Sequence, residues 1–128
     1  MAGIELYFGP KNSNDDLAIF CEKARIYHPA TVCIFPAKIQ RVREILGEGI
    51  PITAVVGGFP IGSNDSEEIR KEIISAINLG ADEIDMVISR GLFLAGRYDD
   101  VRREIRETRA ACVATSKSIS RDPVHLKI

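Results

Sequence analysis

Hydrophobic positions alternate along the chain between two kinds of segment. Short apolar runs, several of them rich in β-branched residues, predict strands at 4–8, 31–35, 50–56, within 80–89 and at 124–128. Between these runs, apolar residues recur every three or four positions, which predicts four amphipathic helices. The predicted buried faces are Leu17, Phe20, Cys21 and Ala24; Ile39, Val42, Ile45 and Leu46; Ile69, Ile73, Ala76 and Ile77; and Tyr98, Val101, Ile105, Thr108 and Cys112.

Polar and glycine-rich segments mark where these elements begin and end. Small polar and acidic side chains at 12–16 predict the start of the first helix, and His28-Pro29 its end. Asn64 or Asp65 is positioned to cap the third helix. After the fourth strand, Gly91 and Gly96 predict a loop, and Ser116 to Asp122 predict a polar loop before the last strand.

The order strand, helix, repeated about four times and closed by a fifth strand, predicts an α/β fold with a parallel sheet and right-handed crossovers. Two architectures fit this order: an open doubly wound sheet, or part of a (β/α)8 barrel. A complete barrel needs about 200 residues or more, so a chain of 128 residues would form little over half of one. In both architectures ligands bind at the carboxyl ends of the strands.

Composition narrows the classes of function. With 45% apolar residues, 27% charged residues and a net charge of -1, the chain reads as one globular domain without a basic surface for nucleic acid or membrane. The start lacks the features of a secretory signal, and no apolar run approaches a membrane span, so we expect a cytoplasmic protein. The spacing of Cys21, Cys33 and Cys112 indicates buried thiols, with neither a disulfide framework nor a zinc site.

The glycine-rich segment GGFPIGSN at 57–64 joins the third strand to the start of a helix, a place where phosphates often bind. It does not end in the GK[ST] of a P-loop, and it is not a GxGxxG motif. A tight connection that uses glycine for positive φ angles is therefore the favoured interpretation.

Three carboxylates surround the fourth strand, at Asp82, Glu83 and Asp85. Side chains alternate along a strand, so Glu83 and Asp85 share one face. If that face is the inside of a barrel, burial and like charge would raise at least one pKa, which suits a proton shuttle. A buried ion pair with lysines or arginines on neighbouring strands explains the same pattern, and spacing does not separate the two.

Lys127 is the only lysine inside a predicted strand. A buried lysine can act as an amine nucleophile, but the counter-ion of Glu83 or Asp85 is the favoured role. Cys33 has no visible group to lower its thiol pKa. We expect His28 and His125 to be ordinary polar residues.

Four segments together resemble deoxyribose-phosphate aldolase. ATVCIFP (30–36) resembles its second strand and ITAVVGGFPIGSN (52–64) its third strand and following loop. GADEIDMVISRGLFLAGRYDDV (80–101) resembles the fourth strand and the next turn, and HLKI (125–128) the start of the fifth. The resemblance implies a (β/α)8 TIM barrel and a class I lyase of deoxyribonucleotide catabolism. Such an enzyme cleaves 2-deoxy-D-ribose 5-phosphate to D-glyceraldehyde 3-phosphate and acetaldehyde through a lysine Schiff base, without metal or cofactor.

The resemblance also implies roles for individual residues. Asp85 matches the catalytic proton-relay aspartate, and Cys33 matches a cysteine that lines the substrate pocket. Lys127 matches a lysine on the fifth strand that sets the electrostatics of the site and does not form the Schiff base.

Two departures from the family pattern limit what this chain can do. The Schiff-base lysine of the family lies on the sixth strand in a KTSTG-type motif, which has no counterpart here, and Glu5-Leu6-Tyr7 replaces the usual aspartate-leucine-threonine. We therefore expect residues 1–128 to form a single incomplete barrel domain, the first half plus the fifth strand, inactive alone. A catalytically dead half barrel that binds or assembles is the alternative. Open edges predict self-association or pairing with the missing half.

Overall fold

Five strands and the helices between them account for most of the chain. The computed structural model describes residues 5–9, 14–59, 62–63 and 65–128. A 3-10 turn at Pro36–Lys38 leads into the second helix. The elements are β1 Glu5–Tyr7, α1 Asn14–Tyr27, β2 Thr31–Ile34, α2 Ile39–Leu46, β3 Ile52–Val56, α3 Ser66–Asn78, β4 Glu83–Met86, α4 Arg90–Leu94, α5 Tyr98–Ser118 and β5 His125–Lys127.

The strands form one parallel sheet in the order β1-β2-β3-β4-β5. In a doubly wound sheet the strand order reverses at a switch point. Here each strand pairs with its neighbour in sequence, as successive strands of a (β/α)8 barrel do. Of the two architectures that the sequence allows, the structure therefore has the barrel type, as an arc of five strands.

The two faces of the sheet have different partners. The core lies on the outer side, where alternate strand residues such as Ile34, Ala54 and Ile84 pack with the buried faces of the helices and are fully buried. The next residues along each strand point to the inner side. There Thr31 and Thr53 are joined by a hydrogen bond of 2.7 Å between their hydroxyl oxygens. The two-residue period of each strand thus separates a helix-covered face from the face that would line a barrel.

The amino ends of the strands are tied together through Asp82, in the α3–β4 connection. One carboxylate oxygen accepts hydrogen bonds of 2.9 Å from the Arg43 guanidinium and of 2.9 Å from the Ile52 backbone N–H. The other oxygen accepts one of 2.9 Å from Arg121, in the α5–β5 connection. Arg43 also donates to the carbonyl of Gly80 at 3.0 Å. Consecutive strand–helix units are therefore joined by one carboxylate at the end of the sheet remote from the predicted site.

Two loop predictions after β4 are wrong in part, although Gly96 and residues 119–122 do lie between the elements. Gly91 lies inside α4, not in a loop, although Gly96 follows that helix with φ +75°. Ser116 and Ser118 lie in the last turn of α5, where their hydroxyls donate to the carbonyls of Cys112 (2.7 Å) and Thr115 (2.8 Å). Hydroxyls that find acceptors within the helix no longer favour a loop.

The predicted helix starts are described only in part. Asp65 caps α3, because its carboxylate accepts the Glu68 backbone N–H at 3.2 Å. The alternative cap, Asn64, and the predicted first-helix caps at 12–13 lie outside the described residues, as does Ile4 of the predicted first strand. Within the described ranges, no helix has both the length and the apolar character that a bilayer crossing requires.

Candidate active site

A cavity of about 630 Å³ opens on the inner face at the carboxyl ends of the strands. Its lining is mostly apolar, and it includes Cys33 and Asp85 from the predicted site together with Tyr7, Phe59 and Ile128. A mostly apolar concavity with few polar groups is the usual form of a small-molecule site. Its position is the one at which enzymes of this architecture place their chemistry.

Asp85 and Lys127 are brought side by side by the register of β4 and β5. Their Cα atoms are directly paired, and Val55 of β3 is the partner of Asp85 on its other side. Paired residues on neighbouring strands point to the same face, about 5 Å apart. Asp85 is half-buried and Lys127 is exposed. The pairing suits the counter-ion role that the sequence favours for Lys127, and it suits an electrostatic role in the site equally well.

Glu83 lies one step further from the mouth of the cavity on the same face. It pairs with Thr53 on one side and with His125 on the other. The predicted alternation in β4 is confirmed, since Ile84 and Met86 are 0% and 1% exposed on the helix side while Glu83 and Asp85 are half-buried on the inner side. The two carboxylates thus share a face, as the sequence predicts.

The structure separates Asp82 from these two carboxylates. Asp82 lies at the opposite end of the sheet, paired with Arg43 and Arg121. Asp82 is thus ion-paired with arginines of a helix and a connection, not of neighbouring strands, whereas Asp85 is the carboxylate that lines the cavity.

Cys33 lies on the inner face of β2 and is 5% exposed, with Tyr7 as its register partner on β1. Burial raises the pKa of Tyr7, and the nearby Cys33 raises it further. The Tyr7 ring is 6.3 Å from that of Phe35 and 6.2 Å from that of Phe59, and the two phenylalanine rings are 6.1 Å apart. Sequence reasoning missed this aromatic trio, because its members come from three strand ends that only the register brings together.

The glycine-rich loop after β3 packs backbone to backbone on the loop after β4. Gly57 and Gly62 have φ angles of +96° and +92°. A Cβ atom on Gly57 would lie 2.8 Å from the carbonyl oxygen of Val87, and one on Gly62 would lie 2.1 Å from that of Ile88. Neither position has room for a side chain. The described glycines therefore serve a tight connection; Pro60, Ile61 and Asn64 of the same segment lie outside the described residues.

Glu104 of α5 is a further residue that sequence reasoning missed. It is only 9% exposed, and its carboxylate accepts the backbone N–H of Ser89 at 2.9 Å. Burial raises its pKa, and the hydrogen bond from Ser89 offsets part of that rise. The signal was present in the sequence, since Glu104 falls on the helical face between Val101 and Thr108, where an apolar residue is expected.

Among the residues that the structure describes, no three histidine, cysteine, aspartate or glutamate side chains are grouped closely enough to hold a metal. The thiols of Cys21, Cys33 and Cys112 are all buried. The two histidines, His28 and His125, are exposed.

Comparisons of sequence and of structure both match this chain to proteins named as aldolases. No family model matches the chain. Three curated relatives are named deoxyribose-phosphate aldolase. The protein of Staphylococcus carnosus is 36% identical over 96 residues (75% of this chain, 44% of the relative). That of Actinobacillus succinogenes is 38% identical over 106 residues (82% and 47%). That of Aciduliprofundum boonei is 41% identical over 96 residues (74% and 43%).

Solved structures agree with the sequence relatives. A crystal structure assigned to a deoxyribose-phosphate aldolase of Coccidioides immitis superimposes with a TM-score of 0.78 at 27% identity, covering 98% of this chain and 46% of that one. The aldolase QR15 superimposes with a TM-score of 0.76 at 26% identity, covering 84% and 48%. The chain thus spans about half the length of the proteins that it matches.

Proposed function

Since the chain is a relative of the deoxyribose-phosphate aldolases, we propose that it provides the first five strands of such a barrel and the proton-transfer side of its active site. The observation that carries this proposal is the placement of Asp85. It lines the cavity at the carboxyl ends of the strands, opposite Lys127 in the register. Residues 1–128 form one incomplete barrel domain in this proposal, and the compartment is the cytoplasm.

The proposed substrate is 2-deoxy-D-ribose 5-phosphate, a sugar phosphate of deoxyribonucleotide catabolism. Once a lysine amine has condensed with the C1 aldehyde, the protonated imine draws electrons from the bond between C2 and C3. A base must then remove the C3 hydroxyl proton as that bond breaks, which releases D-glyceraldehyde 3-phosphate and leaves an enamine. Returning the proton to C2 restores the imine, and water releases acetaldehyde. We assign this proton movement to Asp85, because its carboxylate is half-buried at the cavity wall.

In this scheme Lys127 contributes to the electrostatics of the site and is not the amine that forms the imine. Lys127 matches the fifth-strand lysine of the resembled family that sets the electrostatics of the site, and not the imine-forming lysine, which supports this role. Its Cα atom is paired with that of Asp85 in the register, so Lys127 lies where it can serve as a counter-ion to that carboxylate. The imine-forming lysine belongs to a part of the barrel beyond these five strands.

The strands at the two ends of the sheet, β1 and β5, each have one neighbour among the described residues. Unpaired backbone groups on an edge strand favour the addition of another strand. We therefore propose that the chain pairs with a segment that completes the barrel, or with copies of itself.

Borohydride trapping tests the division of labour among the lysines. Treating the purified chain with 2-deoxy-D-ribose 5-phosphate and sodium borohydride reduces any imine to a stable adduct that mass spectrometry detects. We expect no adduct on this chain alone. An adduct mapped to Lys127 would make that lysine the nucleophile and would overturn the proposed roles.

Complementation tests the activity itself. The chain is mixed with the carboxyl-terminal half of the Actinobacillus succinogenes relative, and acetaldehyde release is followed with a coupled dehydrogenase. We expect cleavage with the native chain, a loss of about 100-fold or more with Asp85→Asn, and a smaller loss with Glu83→Gln on the same strand face. A complemented barrel that assembles yet shows no cleavage would favour the non-catalytic assembly module.

A further inference from the structure

The loop that follows β4 is held on its helix-facing side by a buried carboxylate. Glu104 reaches from α5 to accept the backbone N–H of Ser89, at 2.9 Å, just before α4 begins. Ser89 is itself only 7% exposed. The two residues before it, Val87 and Ile88, line the cavity that contains Asp85. One hydrogen bond therefore connects the outer helix layer to the cavity wall.

The same loop is held from the front by the glycine loop. The absent side chains of Gly57 and Gly62 allow the backbone of that loop to lie directly on the carbonyls of Val87 and Ile88. The Val87 backbone N–H also donates to the Val56 carbonyl, at 3.0 Å. The segment 87–89 is thus fixed between two glycines on one side and Glu104 on the other. We call this arrangement of 87–89, Gly57, Gly62 and Glu104 the loop clasp.

The glycine loop has a weaker anchor of the same kind. Glu72 of α3 accepts the backbone N–H of Gly57 at 3.5 Å, near the limit for a hydrogen bond. Burial raises its pKa as it does that of Glu104. In both cases a glutamate of the helix layer reaches back to a backbone N–H just beyond the end of a strand. The bond to Ser89 is the shorter of the two and carries the inference.

Burying a glutamate at position 104 costs free energy. An apolar side chain would pack there without the cost of removing a carboxylate from water. Glu104 gains a backbone donor in return, which fixes the position of a loop more than it adds net stability. A residue that costs stability and fixes a cavity wall is typical of a site that must keep its shape.

We propose that Glu104 is a positioning residue of the active site, which holds Val87 and Ile88 beside Asp85 through the backbone of Ser89. Glu104 does not line the cavity and touches no reacting atom in this scheme. Its effect on the site rests on the proposed function, whereas its effect on the loop does not. The two can therefore be measured separately.

Amide hydrogen exchange followed by NMR tests the loop directly on the 128-residue chain. Glu104→Ala removes the acceptor, and Glu104→Gln keeps an oxygen in the same place. Asp99→Ala is the matched control, because Asp99 is a carboxylate of the same helix whose side chain is 95% exposed. We expect the exchange of the Ser89 amide to rise about tenfold or more in Glu104→Ala, from the loss of one charge-assisted hydrogen bond. Exchange at Ala54, inside β3, should stay constant and reports any general loss of stability.

Rescue and the KM of the complemented barrel complete the test. Glu104→Gln should restore most of the Ser89 protection, with the Ser89 amide proton shifted upfield as the charge on its acceptor is lost. The KM for 2-deoxy-D-ribose 5-phosphate, measured on the chain complemented as above, should rise about fivefold in Glu104→Ala and change little in Glu104→Gln and in Asp99→Ala. We expect the KM to rise as the Ser89 protection falls across the variants.

The outcomes separate the two proposals. Equal Ser89 exchange in the native chain and in Glu104→Ala overturns the loop clasp. Faster exchange with an unchanged KM for the sugar phosphate overturns the positioning role. If the complemented barrel does not cleave the sugar phosphate, the proposed function fails, and the exchange data still decide whether Glu104 holds the loop.

Discussion

Removing the charge of Asp82 should destabilise the fold without touching the candidate site. Its carboxylate accepts from Arg43, Arg121 and the backbone of Ile52, so Asp82→Asn replaces an acceptor with an amide that must turn its NH2 group toward one of these donors. The change is nearly isosteric. Loss of stability would therefore report hydrogen bonding and charge, not packing.

The magnitude follows from the exposure of the partners. The side chains of Arg43, Asp82 and Arg121 are 16%, 38% and 30% exposed, so water screens these pairs less than pairs on the open surface but does not leave them dry. Each pair contributes about 1 kcal/mol at this exposure, and an unsatisfied Ile52 N–H costs about 1–3 kcal/mol. Arg43 keeps the carbonyls of Gly47, Ile50 and Gly80 as acceptors. We expect a loss of about 2–4 kcal/mol in total, below the cost of an orphaned charge in a dry core.

Urea unfolding followed by circular dichroism at 222 nm measures this loss. With an m-value of about 2 kcal/mol per M, the midpoint should fall by about 1–2 M. Asp99→Asn is the matched control, because Asp99 also accepts from an arginine, Arg102, at 2.8 Å, but is 95% exposed. That control should change stability by less than about 0.5 kcal/mol. If Asp82→Asn is as stable as Asp99→Asn, the structural role assigned to Asp82 is refuted. Protein concentration must be held constant, since self-association would shift both midpoints.

Three further predictions concern single positions. Gly62→Ala places a Cβ atom 2.1 Å from the carbonyl oxygen of Ile88 at φ +92° and should lower the free energy of unfolding by about 2 kcal/mol or more. Gly49→Ala, where a Cβ atom would have nothing within 4 Å, should be close to neutral in the same urea assay. Equal stabilities of the two variants would contradict the close loop contact. Burial raises the pKa of Cys112 to about 11, so Ellman's reagent at pH 8 should label this thiol only as fast as the protein unfolds, and rapid labelling in native buffer would contradict its burial. Because burial raises the pKa of Glu104, the folded state holds the carboxyl proton more tightly than the unfolded chain does. The free energy of unfolding should therefore fall as the pH rises from the ordinary glutamate range through the raised pKa, and Glu104→Gln should remove this pH dependence. Identical pH dependences of the native chain and Glu104→Gln in urea titrations would refute this prediction.

The strands and their order could be predicted because each strand is marked by the hydrophobic pattern of its own few residues. Short apolar runs ended by proline or glycine identified β2 and β3, and the predicted helical face of α3 is buried as expected. Asp85 could be identified as a candidate because burying a carboxylate within an apolar strand is costly unless it is hydrogen-bonded or retained for chemistry. Which of its neighbouring carboxylates belongs to an ion pair was not predictable, because Arg43 and Arg121 lie about forty positions from Asp82 in opposite directions along the chain.

Features that depend on distant partners could not be predicted. The five-residue helix α4 contains Gly91 and is too short to be stable by propensity alone. It depends on tertiary contacts, among them the packing of Phe93 against Tyr98, with ring centroids 5.5 Å apart and ring planes tilted by 54°. Glu104 binds a backbone N–H, which leaves no trace in the sequence at the position of Ser89. Sequence patterns carry information about side chains, whereas these contacts depend on backbone groups and on which residues the fold places next to each other.

Pairing each strand with its predecessor also affects how the chain can fold as it is synthesised. Each new strand emerging from the ribosome finds its partner already made, and no strand has to wait for a distant one. The helix-covered side can therefore be sealed progressively, while the leading strand always presents an unpaired edge. The inner face with Asp85 behaves differently, since the helices of these five strands pack on the outer side and the inner face borders the cavity. During synthesis the helix-covered side can thus be buried strand by strand, and the free edge of the newest strand is where a chaperone or another nascent chain can attach.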